Sequence, residues 1–168
     1  KHPKFYFSEG NFEFQVEGVL FKVHQYYFER DSPIFAAWKT GDNVDGPDNT
    51  SAFFQDVTLD EMNAFMSVLY PLDLKNGDVH AQSEWISVLR LSTLWQFASI
   101  RALALRQLDP LLSPVDHLVV ARSHNVESWV ESALTDLCVR DNPLRLVEIR
   151  QMTYEDIALV GEIREAIR

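Results

Sequence analysis

Cysteine, glycine and basic residues are scarce in this sequence, and each shortage narrows what the chain can be. Cys138 is the one cysteine in 168 residues, which excludes an internal disulfide and a paired-cysteine metal site. A lone thiol is typical of a reducing compartment, so we expect a cytoplasmic or nuclear protein. No apolar run approaches the roughly 20 residues that span a bilayer, and residues 1–4 lack the apolar core of a signal peptide. Because the sequence starts at Lys1 rather than Met, we expect further domains outside it.

Basic side chains are outnumbered, with 15 Lys and Arg against 25 Asp and Glu and a formal charge of −10. The acidic residues are spread over both halves of the chain rather than confined to a tail. Such a surface repels a phosphate backbone, so direct binding of DNA or RNA is disfavoured. An anionic membrane surface is disfavoured for the same reason. We therefore expect protein partners.

Motifs of catalysis and cofactor binding are also missing. The six glycines are scattered and form no phosphate-binding loop, and there is no hydrolase or metalloprotease motif. His117 and His124 lie seven residues apart, whereas two zinc ligands on one helix need a spacing of four and a third ligand. His24 with Asp31 or Ser32 can be drawn as a catalytic set, but an imidazole hydrogen-bonded to backbone at a strand–helix junction is favoured. We predict no enzyme, no cofactor and no metal site.

Strand patterns come early in the chain and helix patterns late, which predicts an α+β fold. Phe12, Phe14 and Val16 alternate with polar residues, Gly18 provides a turn, and residues 19–23 return as the second strand of a hairpin. Residues 53–57 are predicted as a third short strand. The expected architecture is a short three-stranded sheet flanked by helical hairpins, followed by an all-helical extension.

The helix signals are strong after residue 57. Thr58 and Glu61 have the spacing of a capping box, and Pro71 ends that helix. Residues 83–97 are apolar on nearly every side, so this helix should be central, with residues 99–108 as its hairpin partner. Helices are also predicted over 115–124, 126–138, 144–152 and 153–167. We divide the chain into a first domain at 1–110 and a helical extension at 111–168 that packs on it.

Two features next to each other have open interpretations. Residues 40–51 form an exposed acidic loop, and a calcium site at Asp42, Asp45 and Asp48 is the sharper alternative, although the EF-hand spacing is absent. Trp38 either anchors a partner or folds back over the edge of the sheet. Trp85, Trp95 and Trp129 are predicted as core residues, like Cys138.

Three blocks of the sequence, in order, resemble the BTB/POZ family. The first is the strand–turn–helix stretch with Gly18, Phe21-Lys22-Val23-His24, Ser32 and Phe35. The second is residues 54–58 with Phe65, Leu69 and Tyr70, and the third is the helical pair at residues 85–108. The amino-acid sequences of the first and third blocks are similar to those of a fungal branch of these proteins. The helices after Ser113 resemble the extension that follows many BTB domains.

The resemblance implies a protein-interaction module that dimerises and recruits partners, with cullin-3 ubiquitin ligases and transcriptional co-repressors as examples. It implies a structural role for Phe21, Val23, His24, Ser32 and Phe35. The sequence departs from the family in three places: no clear helix precedes the first strand, Asn11 stands where Asp is usual, and no Glu occurs between Ala36 and Gln55 to form the cullin-binding motif. We expect a self-associating module; the alternatives are a cullin-3 substrate adaptor and an oligomerisation domain of a transcription regulator. The candidate interface residues are aromatic: Phe5, Phe7, Tyr26, Tyr27 and Trp38.

Overall fold

The computed structural model of the chain describes residues 1–40 and 53–167, and it has the expected α+β composition with helices in the majority. The predicted acidic loop, with Asp42, Asp45 and Asp48, lies outside the described residues. Strands β1 (Phe12–Val16) and β2 (Val19–Val23) form the predicted antiparallel hairpin. Its two-residue turn has φ of 46° at Glu17 and 81° at Gly18. Positive φ at both turn positions matches the right-handed twist of the strands, and Gly18 adopts it without strain.

The N-terminal segment runs parallel to β2 on the side away from β1. His2 N–H donates to the Leu20 carbonyl at 2.7 Å, and Phe7 N–H donates to the Lys22 carbonyl at 2.8 Å. A Cβ atom at Gly10 would lie 2.9 Å from the Lys22 backbone, so glycine is what lets the chain pass this close. β2 is therefore covered on both edges by its own chain.

The prediction of a third strand at residues 53–57 is wrong, because residues 53–54 form a 3-10 turn and residues 55–56 continue it as a further turn. Their carbonyl groups are taken by side chains. The Phe53 carbonyl accepts from Trp95 Nε1 at 3.3 Å, and the Asp56 carbonyl accepts from Arg90 Nη2 at 2.9 Å. Both carbonyl groups thus bind side chains from residues 90–95 rather than the backbone of a neighbouring strand. The sheet in the described part of the chain thus has two strands.

The chain divides into two compact units, Lys1–Gln107 and Leu108–Arg168. The helices that begin in the first unit are α1 (Gln25–Asp31), α2 (Pro33–Thr40), α3 (Leu59–Leu69), α4 (Gln82–Leu94) and α5 (Ala98–Leu108). The capping box of α3 is confirmed: the Thr58 hydroxyl accepts from Glu61 N–H at 3.3 Å, and the Glu61 carboxylate accepts from Thr58 N–H at 3.0 Å. Two of the four orphan donors at the start of the helix are satisfied in this way.

Aromatic rings fill the core of the first unit. Phe14 stacks on Phe21 at 5.2 Å and on Phe54 at 4.2 Å between ring centroids, which fixes the hairpin over the chain that enters α3. Trp95 meets Phe54 and Phe65 edge to face at 5.5 and 5.1 Å. Such pairs contribute about 0.5–1.5 kcal/mol each beyond the area they bury. The strand hairpin and α4 are thereby joined through one continuous cluster.

The second unit is entirely helical. It contains a 3-10 turn (Asp109–Leu111), α6 (Pro114–His124), α7 (Glu127–Val139), α8 (Leu146–Ile149) and α9 (Tyr154–Ile167). Its core is a small apolar cluster formed by α6, α7 and α9, with Val115, Leu118, Ala133, Leu137, Cys138 and Val160. Arg164 on α9 donates to the Leu137 carbonyl at 2.9 Å and so ties the end of α7 to α9. α8 is shorter than predicted, because Leu146 and Val147 are exposed and give it no apolar face to bury.

Candidate interaction surface

His24 lies at the predicted junction, between the end of β2 and the start of α1, and its partner is Tyr70. Tyr70 Oη accepts the His24 backbone N–H at 3.0 Å and lies 3.2 Å from His24 Nδ1. The Tyr70 hydroxyl can donate to Nδ1 or accept from it, so this contact joins the two side chains in either tautomer of the ring. The sequence predicted a backbone partner for this ring; the structure corrects it to the tyrosine side chain.

The other residues of the family-like stretch are buried. Phe21, Val23 and Phe35 have at most 1% of their surface exposed. The Ser32 hydroxyl, also buried, donates to the Trp95 carbonyl at 2.6 Å and accepts the Phe35 N–H at 3.3 Å. It therefore joins the end of α4 to the start of α2. These side chains hold the fold together and offer no surface to a partner.

The side chains of Asp31 and Ser32, which a catalytic set with His24 would use, form hydrogen bonds to other groups. The Asp31 carboxylate binds the Arg30 guanidinium through two hydrogen bonds, and this pairing raises the pKa of Arg30 above its ordinary value. Ser32 is held by the two main-chain groups given above. Both side chains therefore have their hydrogen-bond partners away from the His24 ring.

Five side chains next to the junction form a continuous aromatic face: Phe7, His24, Tyr26, Tyr27 and Tyr70. The ring of Phe7 lies 5.0 Å from Tyr70 and 5.4 Å from His24. Tyr27 meets Tyr70 edge to face at 5.3 Å, and Tyr26 meets Tyr27 at 5.7 Å. The exposure rises outward along the face, from partly buried rings to Tyr26, which is 63% exposed.

Arg30 extends the aromatic face on its α1 side. Its guanidinium carbon lies 5.5 Å from the ring centroid of Tyr26 and 5.2 Å from that of Tyr27. Cation–π contacts of this kind contribute about 0.5–1 kcal/mol at exposed sites. They also favour the rotamers that bring these three side chains together, so the surface is partly ordered before any partner arrives.

Tyr70 is a member of the aromatic face that the sequence analysis names only in the second family-like block and not among the interface residues. It is the C-cap of α3, one residue beyond the helix, where the helical spacing no longer decides which way a side chain points. Its hydroxyl is partly desolvated, and burial raises the pKa of Tyr70 above its usual value. The phenol therefore stays protonated at neutral pH and keeps its contacts with the backbone N–H and Nδ1 of His24.

Of the predicted interface residues, Phe7, Tyr26 and Tyr27 lie on the aromatic face, and two lie elsewhere. Phe5 is 1% exposed and stacks on His2 at 4.9 Å, so it belongs to the core. Trp38 is partly buried against Phe12, with 5.9 Å between ring centroids. This placement favours the second of the two alternatives for Trp38, in which the ring folds back over the sheet.

In the described part of the chain, no three His, Cys, Asp or Glu side chains are grouped closely enough to hold a metal ion. His117 lies beside Asp109, with 3.3 Å between Nε2 and a carboxylate oxygen, and against the ring of Trp129 at 4.9 Å. These contacts stay within the helical unit. None of the described helices combines the length and the apolar character that a bilayer crossing needs.

No protein-family model matches the chain, and no curated protein sequence matches it. The BTB/POZ resemblance therefore rests on the residues of this chain, and its implications are taken up as a proposal.

Proposed function

We propose that the first unit is a BTB/POZ-like interaction module that associates with a second copy of the chain through the aromatic face. The observation that carries the proposal is the ordered, partly exposed cluster of Phe7, Tyr26, Tyr27 and Tyr70 beside the strand–helix junction. Three family-like sequence blocks surround this cluster. The module acts by contact rather than by turnover, in the cytoplasm or the nucleus, and recruits further protein partners.

The composition of the aromatic face supports a role in binding. Tyr and Arg are enriched among the residues that dominate binding energy at protein interfaces. Here both are present and already ordered by ring and cation–π contacts, so little side-chain entropy remains to be lost on association. Tyr26 is the most exposed side chain of the aromatic face, and we expect it to anchor the contact.

The order of elements supports the family assignment. A strand hairpin enters α1 through His24, and a buried serine then precedes α2. A capped helix α3 follows, and the pair α4 and α5 closes the unit. Members of the BTB/POZ family with this order of elements dimerise, which supports the proposed self-association.

Light scattering coupled to size-exclusion chromatography, across a dilution series, tests self-association. We expect a concentration-dependent dimer, and we expect Tyr26→Ser to weaken it by at least about tenfold, which is about 1.4 kcal/mol. Tyr154→Ser is the matched control, because Tyr154 is 89% exposed and belongs to the helical unit. A monomer at every concentration, or equal weakening by both variants, would overturn the proposal.

A further inference from the structure

A surface loop of the first unit displays two leucines to solvent. Residues 72–78, the leucine loop, connect the end of α3 to the segment before α4. Leu72 is 79% exposed and Leu74 is 88% exposed. Single exposed leucines are common on protein surfaces and need no explanation. Two exposed leucines within three residues form a small apolar patch, and such patches mark interaction sites.

The backbone of the leucine loop is fixed by Asp78. Its carboxylate accepts the N–H groups of Leu72 at 2.9 Å and Asp73 at 3.0 Å, and it pairs with Lys4 Nζ at 2.9 Å. These bonds, with those to the two backbone N–H groups first, lower the pKa of Asp78 to about 2. The carboxylate is therefore ionised throughout the physiological range and holds the loop in place.

A second acidic residue fixes the other half of the leucine loop. Asp73 accepts the N–H groups of Lys75 at 2.9 Å and Asn76 at 3.1 Å, and its carbonyl accepts the Gly77 N–H at 2.9 Å. Gly77 has φ of 74°, which a side chain would strain. The loop thus presents its leucines in one conformation, so a partner has little ordering cost to overcome.

The leucine loop borders two adjoining depressions of opposite character. The first, of about 160 Å³, has Leu74 on its rim and the apolar groups of Val68, Pro71 and Trp85 in its wall. The second is a groove of about 450 Å³ that contains the carboxylates of Asp60 and Glu84. The two share Ser67, Asp78 and Val79, so they are continuous.

Two carboxylates of the groove lack a cationic partner. Lys4 is committed to Asp78, and within the described residues neither Asp60 nor Glu84 is paired with a cationic side chain. Glu84 Oε2 accepts the N–H groups of His80 at 3.0 Å and Ala81 at 2.9 Å at the start of α4, so its charge is already partly offset. An apolar recess next to such a groove is complementary to a segment with leucine-like residues on one side and Lys or Arg on the other. A second copy of this chain, with its charge of −10, is a poor match for an acidic surface.

We propose that the leucine loop and the acidic groove beside it form a docking site for a basic amphipathic segment of a partner protein. The apolar side chains of that segment contact Leu72 and Leu74, and its cationic side chains enter the groove at Asp60 and Glu84. This surface is separate from the aromatic face, and the inference does not depend on self-association.

Fluorescence anisotropy with a labelled amphipathic peptide built only of leucine and lysine tests the site. We expect the double substitution Leu72→Ser and Leu74→Ser to weaken binding by at least about tenfold, which is about 1.4 kcal/mol, and Asp60→Asn to weaken it by about threefold. Both leucines and Asp60 are exposed, so thermal unfolding should be unchanged. Leu146→Ser and Asp136→Asn, at exposed positions of the helical unit, are the matched controls.

A second peptide, with glutamate in place of lysine, separates the basic partner from any apolar one. Equal binding of the two peptides, no binding to the unsubstituted protein, or full binding to the double-leucine variant would each overturn the inference. Tyr26→Ser should leave peptide binding unchanged, and the leucine substitutions should leave the dimer unchanged. Failure of one proposal is thus distinguishable from failure of the other.

Discussion

The Ser32 hydroxyl joins two elements that are 63 residues apart in the sequence. It is buried, it donates to the carbonyl of Trp95 at the C-cap of α4, and it accepts the N–H of Phe35. In the sequence, Ser32 before Pro33 indicates the start of a helix. The second bond, to a distant carbonyl, has no local signal at all.

Ser32→Ala should destabilise the first unit by about 1–3 kcal/mol, because the Trp95 carbonyl would be left buried without a donor. Urea unfolding followed by the fluorescence of the tryptophans in the first unit measures this as a lower midpoint. Ser132→Ala is the control, since that hydroxyl is exposed on α7 and bonds only within its own helix. Equal midpoints for Ser32→Ala and the unsubstituted protein would show that water replaces the lost donor.

At the candidate site, some residues could be predicted from the sequence and others could not. Tyr26, Tyr27 and Phe7 were predicted from their aromatic character next to the junction, and the structure places them on one face. Tyr70 was not, because it is 46 residues from His24 and only the folded chain brings the two together. Phe5 shows the opposite failure: a terminal aromatic residue reads as exposed, yet it packs against His2 and Phe21.

At the scale of elements, local signals located the helices well. Thr58 and Glu61 form the capping box that their spacing predicts, and the structure shows a second one at Ser113 and Asp116. The third strand was wrong: Phe53 and Phe54 lie in a 3-10 turn, and the carbonyls of Phe53 and Asp56 bind the distant side chains of Trp95 and Arg90. The fixation of the leucine loop by Asp78 depends on geometry that residue spacing does not reveal.

The Glu148 carboxylate joins α8 to the C-terminal end of α7. Glu148 accepts from Arg140 through both guanidinium nitrogens, at 2.9 and 2.7 Å, and from the Arg145 N–H at 2.7 Å. The bonds from Arg140, and then the one from the Arg145 backbone, lower the pKa of Glu148 from 4.5 to about 2. A carboxyl whose pKa is lower in the folded state stabilises that state above its unfolded pKa.

This stabilisation should be lost as the pH falls from about 4.5 to about 2, the interval between the unfolded and folded pKa values of Glu148. Thermal unfolding by circular dichroism at successive pH values measures the loss. Glu148→Gln should unfold at a lower temperature at neutral pH and show a shallower decline in acid. Glu165→Gln, at an exposed position on α9, should follow the unsubstituted protein. Parallel declines for Glu148→Gln and the unsubstituted protein would contradict the assignment.

At the scale of the whole molecule, the charge of −10 acts on the two proposed contacts with opposite sign. Two copies that meet at their aromatic faces carry like charge, so their repulsion is screened by salt and the dimer should strengthen as ionic strength rises. A basic segment in the acidic groove is held by opposite charges, and the same screening should weaken it.

The two salt dependences can be measured on one protein. Between about 0.05 and about 0.5 M NaCl the Debye length shortens from about 14 to about 4 Å, which removes most long-range terms and leaves the apolar contacts. We expect the dimer fraction from light scattering to rise across this range while the affinity for the leucine–lysine peptide falls by about tenfold or more. Asp60→Asn should flatten the salt response of peptide binding and leave that of the dimer unchanged, because Asp60 lies in the groove and not on the aromatic face. A dimer that weakens with salt would mean that attraction between unlike charges holds the two copies together, and the aromatic face would then not be the contact.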